Sequence, residues 1–300
     1  MKSRDEATGH TDFPAPRERD LPPGRHLRLK EHLLSEIRQE DVDTVPRAKR
    51  RGWLRPSLVA GAVAAAVAAG LVVAQPFGGD PAQAGPPSKE TVAVLKQIAA
   101  AARKQPAPKD IRDDQFVYMK SKVRWGDDEL HLREFWESVD GRHTGLLHEP
   151  ENDSENEPME PDPPLMESDT NYRNLQKLPA DPVNMLDWLN RVAEEQTNGK
   201  PFVLVGDLIY ESLMPPEQAA ALYLAAARIP GVELVDDAVD AAGRHGVAIA
   251  WKDDEVRQEL IFDKRTKQFL GERETNEDGE VVGHTAVLER KVVDKAGERP

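Results

Sequence analysis

The stretch Gln115-Phe-Val-Tyr-Met-Lys-Ser-Lys-Val-Arg-Trp125 decides the fold class, because β-forming residues alternate with polar ones along it. Gly126-Asp-Asp128 then has the composition of a turn, and Glu129 to Val139 alternates again. Asp140-Gly141 is a second tight-turn signal and leads into Arg142 to Leu147. The three runs together predict an antiparallel meander of three strands.

The C-terminal part of the chain repeats this strand pattern. Asp253-Asp254 and Asp263 to Lys267 have turn composition and separate apolar runs. Short alternating runs joined by tight turns are typical of antiparallel pairing, so these runs should extend the first sheet. The predicted strands are 232–235, 247–251, 257–263, 268–274, 281–284 and 286–292.

Helical periodicity separates the two groups of strands. In Leu178-Pro-Ala-Asp-Pro-Val183, Asp181 can cap free backbone amides while Pro182 fits the first helical turn. The predicted helices are 91–103, one that begins at Pro182, 203–213 and 215–227. We therefore expect an α+β fold at residues 89–300, with an antiparallel sheet broken midway by a helical insertion that covers one face.

The stretch from Glu149 to Asp169 is rich in acids and proline and has no basic residue. Carboxylates are ligands that Ca²⁺ accepts, but the stretch lacks the glycine-centred loop and terminal glutamate of a defined calcium site. We interpret 149–169 as a solvated acidic loop, and we predict no metal and no cofactor for the chain.

The stretch Leu58-Val-Ala-Gly-Ala-Val-Ala-Ala-Ala-Val-Ala-Ala-Gly-Leu-Val-Val-Ala74 has no polar side chain. As a helix it spans roughly 26 Å, and about 30 Å over residues 56–75, which suits the hydrocarbon core of a bilayer. A buried core helix is the alternative, but such a helix normally keeps one polar stripe. We predict a transmembrane helix at 56–75, and its main membrane-spanning residues are Leu58, Val59, Val63, Val67, Leu71, Val72 and Val73.

Basic residues before the apolar segment set its orientation. The first basic residue after the segment is Lys89. The positive-inside rule therefore places residues 1–52 in the cytoplasm and residues 76–300 outside, with 76–88 as a linker. The topology-setting residues are Arg47, Lys49, Arg50, Arg51 and Arg55. The predicted localisation is the cell membrane, with a single pass.

A cleaved export signal is the competing interpretation of this region. Ala82-Gln-Ala84 has the small-x-small form of a cleavage site and follows a basic region and an apolar run. Against cleavage, the region before the apolar run is far longer than that of a signal peptide. N-terminal sequencing of the membrane-extracted protein separates the two readings.

The predicted cytoplasmic tail contains one amphipathic helix, at residues 24–39. Leu29, Leu33 and Ile37 recur every fourth position, and charged residues occupy the other side. A helix of this length is marginal in water unless its apolar face meets a partner. It is either a docking helix for a cytosolic protein or a helix that lies on the membrane surface.

Composition excludes several classes of function. The chain has 54 Asp and Glu against 40 Lys and Arg, and this acidic balance argues against nucleic acid as a partner. It has no cysteine, which excludes disulfides and thiolate catalysis within this sequence. No phosphate-binding loop, nucleophile elbow or zinc-protease helix is present.

The histidines and tryptophans favour structure over catalysis. His131 and Glu134 are expected to point to opposite faces of a strand, and His245 and His284 lie by turns. The tryptophans of that part are interpreted as core residues. Alternatively, they line an apolar groove between the sheet and the helices. The tryptophans concerned are Trp125, Trp136, Trp188 and Trp251.

The order of parts resembles an actinobacterial family of uncharacterised single-pass membrane proteins, and the resemblance covers nearly the whole chain. It rests on Phe116-Val-Tyr118, Arg133-Glu-Phe-Trp136, Leu178-Pro-Ala-Asp-Pro182 and Leu260 to Gly271, after the basic cluster and apolar span. Such proteins are often encoded near extracytoplasmic-function sigma factors, which implies a signalling role. The external part also looks loosely like the sheet-over-helices fold of periplasmic lipoprotein-binding modules.

Two hypotheses about function follow. The first is a membrane-anchored, non-enzymatic sensor or sigma-factor-linked regulatory module, with residues 24–39 contacting a cytosolic protein. The second is an extracytoplasmic lipid- or lipoprotein-binding module with an apolar cleft. The expected partners are therefore the membrane, a cytosolic protein, and an apolar ligand or envelope protein outside.

Overall fold

The structure, a computed structural model, describes residues 84–152, 154–161, 166–197 and 199–300. The predicted transmembrane helix, its basic flank and the tail helix at 24–39 lie outside the described residues. Among the helices of the described ranges, none combines the length and the apolar character needed to cross a bilayer.

The strands of the described ranges form a single antiparallel sheet in the order β4-β3-β2-β1-β9-β8-β7-β6-β5. Their bounds are β1 Phe116–Trp125, β2 His131–Ser138, β3 Gly145–Glu149, β4 Ser154–Met159, β5 Glu233–Val239, β6 His245–Lys252, β7 Val256–Asp263, β8 Phe269–Asn276 and β9 Val281–Val293. The predicted α+β fold with an antiparallel sheet is thereby confirmed.

Two meanders make up this sheet, and β9 joins them. The β1–β4 and β5–β9 meanders follow chain order, and β1 pairs with β9 from Phe116 opposite Val293 to Trp125 opposite Gly283. The last strand along the chain is therefore the central strand of the sheet. The sequence pattern placed a break inside this strand, whereas the structure continues it through Thr285, with a register shift between Lys120 and Ser121 of β1.

Helices lie before the first meander and between the two. Their bounds are α1 Lys89–Arg103, α2 Tyr172–Leu175, α3 Pro182–Gln196, α4 Pro201–Tyr210 and α5 Pro216–Ala226. Asp181 caps α3 as predicted, since its carboxylate accepts from the backbone amides of Val183 and Asn184. Among the helices that the structure describes, only the short helix α2 has no counterpart in the sequence-based prediction.

The helices cover one face of the sheet, here called the helix face. Ile249, Trp251, Leu260 and Phe262 of this face form one buried cluster with α1, α3, α4 and α5. At the other end of the sheet, Tyr172 packs on strands β1 and β2. The predicted helical insertion over one face is therefore confirmed.

The opposite face, here called the outer face, is covered locally by two short segments. Near the first meander, Phe116, Tyr118 and Trp136 pack with Val293 and with the residues that follow β9. Near the second, the loop between β5 and β6 lies against the sheet, since the amide of Ala241 donates to the carbonyl of Thr285.

Arg244 of this β5–β6 loop bridges β8 and β9. Its Nη2 atom donates to the carbonyls of Leu270 in β8 and Val287 in β9, at 2.9 Å each. Asp240, which is 1% exposed, holds the same guanidinium and also accepts from the backbone amide of Arg244. The bridge stabilises a place where the two strands share few paired residues.

The interpretation of 149–169 as a loop throughout is wrong. Residues Pro150–Asn152 form a short 3₁₀ turn, and β4 pairs with β3 as the edge of the sheet. The pairing satisfies the backbone hydrogen-bonding groups on one side of β4, while exposed carboxylates such as Glu155 and Glu157 stay in water. Charge on an edge strand discourages pairing with a further chain, so this composition suits an edge.

Candidate functional site

A buried charge cluster lies on the helix face, where β2 and β3 meet the end of α4. Arg133, 2% exposed, donates through Nη1 to Glu149 and through Nε to Glu211, the latter at 2.8 Å. His131 donates to the other oxygen of Glu149 at 2.6 Å. We call these four residues the buried charge cluster.

His131 is held in its charged form by two acceptors. Its Nε2 atom faces the Glu149 carboxylate and its Nδ1 atom faces the carbonyl of Glu129 at 2.8 Å. Burial alone would lower the pKa of His131, but these two hydrogen bonds outweigh it and raise the pKa above the ordinary value. The cluster therefore pairs two cations with two carboxylates.

The cluster joins structural elements and offers no access to a substrate. Arg133 of β2 binds the end of β3 through Glu149 and the residue after α4 through Glu211. Glu149 is 0% exposed. The arrangement is that of a structural ion cluster, in which each charge needs its partner because little of any of them reaches water.

Glu137 lies on the same face of β2, in a setting that favours its neutral form. Burial raises the pKa of its carboxyl to about 8, opposed by a hydrogen bond from Thr170 and supported by the nearby charge of Glu211. The buried Oε2 atom has no hydrogen-bond partner among the described residues. Such a setting favours the protonated carboxyl.

We predict that Glu137→Gln changes how stability depends on pH. The folded carboxyl holds its proton up to a pKa of about 8, whereas the unfolded one loses it near 4.5. Between these values folding takes up a proton, so rising pH disfavours the wild-type fold, by up to about 1.4 kcal/mol per pH unit. Glutamine does not titrate. The free energy of unfolding of the variant, measured with urea, should therefore rise relative to that of the wild type from about pH 5 to pH 8.

The control for this prediction is Glu157→Gln, which removes an exposed carboxylate from edge strand β4. The free energies of unfolding of this variant and of the wild type should differ by a nearly constant amount over the same pH range. A constant difference for Glu137→Gln as well would show that the Glu137 carboxyl is charged in the folded protein.

The four tryptophans of the described domain are core residues, as predicted. Trp125 packs edge-on against Tyr210 at 6.2 Å between ring centroids, and Trp251 stacks on Phe202 at 6.4 Å. Trp188 donates to Glu167. Protein side chains therefore fill the space between the sheet and the helices, where the alternative interpretation placed an apolar groove lined by tryptophans.

A shallow cleft of about 400 Å³ opens instead at the edge of the sheet, between the start of α1 and β5. Ser88, Thr91, Glu233 and Asp236 are among its lining residues. Its lining mixes these hydroxyl and carboxylate groups with Val232 and Leu234, and is more polar than the lining that an acyl chain needs.

An exposed patch with both apolar and basic side chains lies on the outer face. Four large apolar side chains stand out as exposed in the described domain, and three of them are Leu130 (45%), Leu132 (41%) and Leu288 (40%). Leu288 lies at the register shift of β9, where the ladder to β1 is interrupted. The outer-face patch consists of Leu130, Leu132, Leu288, Lys120, Lys122 and Arg124.

The basic members of the patch alternate along β1. Lys120, Lys122 and Arg124 are partly exposed, while Ser121 and Val123 between them are buried on the helix face. Lys122 lies opposite Leu132 of β2 and Ala286 of β9. The register therefore places Lys122 beside Leu132, while Lys120 lies between Glu134 of β2 and Glu289 of β9.

The patch contrasts in charge with both edges of the sheet. The chain has a formal net charge of −14. Edge strand β4 exposes Glu155 and Glu157, and edge strand β5 exposes Asp236 and Asp237. A basic strip with leucines between two acidic edges can attract an acidic partner and bury apolar side chains against it.

Sequence reasoning found neither the cluster nor the patch. The described residues contain no group of three or more histidine or acidic residues placed to hold a metal ion. His131 and Glu134 do point to opposite faces, as predicted, and His131 is buried beside Glu149. Only the register of β2 and β3 could have revealed this pair.

Comparison with known proteins gives only distant likenesses. No family model matches the chain, and no curated protein matches it. The predicted membership of an actinobacterial membrane-protein family stays a prediction.

Among solved structures, a crystal structure of MucB is 16% identical and covers 72% of this chain and 62% of that one, with a TM-score of 0.29. MucB in complex with MucA(peri) is 13% identical and covers 70% and 57%, with a TM-score of 0.28. The MucA/MucB complex of Pseudomonas aeruginosa is also 13% identical, covers 68% and 57%, and has a TM-score of 0.28. The chain thus spans less than two thirds of these proteins, and its function has to be sought in its own side chains.

Proposed function

We propose that this chain is a membrane-anchored, non-enzymatic regulatory protein whose sheet domain binds a partner protein through the outer-face patch. The observation that carries the proposal is the exposure of Leu130, Leu132 and Leu288 beside a row of cations on β1. Exposed apolar groups rimmed by charge are typical of interaction surfaces. The anchor is the predicted helix at 56–75.

The chemistry of the patch selects an acidic segment with apolar side chains as the occupant. Covering the exposed part of each leucine contributes on the order of 1–2 kcal/mol before the cost of association. Lys120, Lys122 and Arg124 supply the complementary charge and favour encounter with an acidic chain.

A polypeptide fits this patch better than a bilayer surface does. An anionic membrane would have to approach the whole face, and the acidic edges at β4 and β5 would oppose that approach. A single extended segment can lie across the centre of the sheet without meeting either edge. The proposal therefore commits to a protein partner.

A non-enzymatic role agrees with the state of the charged groups. Arg133 and Glu149 are buried and bound to each other, so they hold elements together and do not face a substrate. The proposed role for residues 24–39 is to carry the signal to a cytosolic protein through Leu29, Leu33 and Ile37.

Photo-crosslinking in intact cells tests the proposed surface. A photoreactive residue is placed at Leu132 of the full chain, and the matched control carries it at Val183, which is 50% exposed on α3. We expect position 132 alone to give adducts with one protein, mapped by mass spectrometry to a segment with more acids than bases. Lys122→Glu combined with Arg124→Glu should reduce these adducts at least tenfold.

Two results would contradict the proposed surface. Adducts to lipid alone would mean that the face meets the membrane. Equal adducts at positions 132 and 183 would mean that exposure, and not the patch, determines crosslinking.

A further inference from the structure

The residues after β9 fold back over the outer face as a C-terminal strap, residues 294–300. The carboxylate of Glu298 accepts from the amides of Asp294 and Lys295, and the amide of Glu298 donates to the carbonyl of Lys295. Gly297 has a φ of +84°, which the third residue of such a turn requires. The turn presents residues 298 and 299 to the sheet.

The strap supplies a backbone carbonyl that accepts a hydrogen bond from the indole N–H of Trp136. The Trp136 side chain is 0% exposed, and its Nε1 atom donates to the carbonyl of Glu298 at 2.6 Å. Tyr118 packs beside it, with 5.2 Å between the ring centroids. A buried indole N–H needs an acceptor, and here the main chain of the strap supplies it.

The next residue of the strap, Arg299, fills an anionic position. Its guanidinium binds both oxygens of Glu134 through Nε and Nη2, at distances of 2.9 and 2.6 Å. It also lies 5.6 Å from the centre of the Trp136 ring. The Tyr118 hydroxyl donates to Glu134 at 2.6 Å and completes the site.

The site is built for a cation, and the arginine that fills it stays about half exposed. The Glu134 side chain is only 9% exposed, and the hydrogen bonds from Arg299 lower its pKa to about 2, so it is negatively charged. The Arg299 side chain is 54% exposed, and every strap residue except Ala296 is exposed. Removing the strap uncovers the Glu134 carboxylate and the Trp136 indole N–H, and both lose the partner that the strap supplies.

We propose that Glu134, Tyr118 and Trp136 form a peptide-binding site for a backbone carbonyl followed by an arginine. The C-terminal strap is its intramolecular occupant, and an arginine-bearing segment of a partner protein has to displace the strap in order to bind. This site uses different side chains from the outer-face patch, so it goes beyond the function proposed above.

The strap occupies the site through the contacts described above and through its covalent attachment to the sheet. It follows directly on Val293, so its effective concentration at the site is in the millimolar range. A free peptide of the same sequence should therefore bind weakly to the intact chain and measurably to a chain without the strap. This difference can be measured.

The test uses the full chain purified in mild detergent, intact or ended after Lys295, and a fluorescein-labelled peptide of residues 294–300. We expect fluorescence anisotropy to show binding to the shortened chain, at least tenfold tighter than to the intact chain. A peptide with alanine in place of arginine should bind at least tenfold more weakly. Glu134→Gln in the shortened chain should abolish binding, while Glu289→Gln on the same face should not.

Arg299→Ala in the full chain is a second variant that releases the strap without deletion, and it should also admit the peptide. Equal binding to the intact and shortened chains would place the peptide elsewhere and overturn the proposal. A shortened chain that keeps its far-ultraviolet circular dichroism but does not distinguish the arginine from the alanine peptide would also overturn it.

Discussion

Arg133→Met is expected to lower the free energy of unfolding by about 3–5 kcal/mol. The substitution removes the cation that lies between Glu149 and Glu211, and it leaves Glu149, which is 0% exposed, with His131 as its remaining charged partner. A buried carboxylate without full compensation is among the most destabilising features that a single substitution produces. Guanidinium unfolding, followed by circular dichroism, measures the loss.

Arg265→Met is the matched control for this prediction. Arg265 is exposed in the turn between β7 and β8, so the same substitution there should change the free energy of unfolding by no more than about 0.5 kcal/mol. In a third variant, Glu149→Leu and Glu211→Leu accompany Arg133→Met, and we expect this variant to be more stable than Arg133→Met alone. If Arg133→Met costs no more than Arg265→Met, the cluster does not hold β2, β3 and α4 together.

Gly271→Ala should destabilise the protein by about 3 kcal/mol or more, although it adds a single methyl group. A Cβ atom at Gly271 in β8 would lie 2.1 Å from the carbonyl oxygen of Thr285 and 2.9 Å from Cα of Ala286. Both are backbone atoms of β9, so no side chain can move aside. Strands β8 and β9 would have to separate, and the bridge made by Arg244 between them would be disturbed.

The control for this prediction is Gly85→Ala, because a Cβ atom there meets nothing within 4 Å. Neither glycine has a positive φ, so the two substitutions differ in space and not in backbone strain. Thermal unfolding should show a clear fall in midpoint for Gly271→Ala and almost none for Gly85→Ala. Equal midpoints would mean that β8 and β9 are further apart than the structure has them.

Local signals in the sequence predicted the elements, because their causes are local. Residues alternate along 115–125 because one face of the strand is buried and the other is more exposed to solvent. The Asp181-Pro182 pair likewise specifies the start of α3. The pairing of β1 with β9 could not be predicted in this way. It joins residues as far apart as Phe116 and Val293, and no local pattern encodes such a partner.

The charged and apolar sites escaped prediction because β2 reverses the usual pattern. Its polar Arg133 is buried and its apolar Leu132 is exposed. Arg133 is buried because Glu149 and Glu211 meet it from β3 and from the residue after α4. The acidic composition of 154–159 likewise gave no strand signal. Strand β4 forms because its backbone pairs with the backbone of β3, whatever its side chains are.

The central position of the last strand has a consequence for the order of assembly on and after the ribosome. Both meanders can begin to form as their residues emerge, but neither has its central neighbour until Val281–Val293 is available. Until then one edge of β1 and one edge of β8 carry unpaired backbone groups, which are sites for wrong association. Closure of the sheet therefore waits for Val281–Val293, and any factor that guards the nascent protein has to protect these two edges until that strand is available.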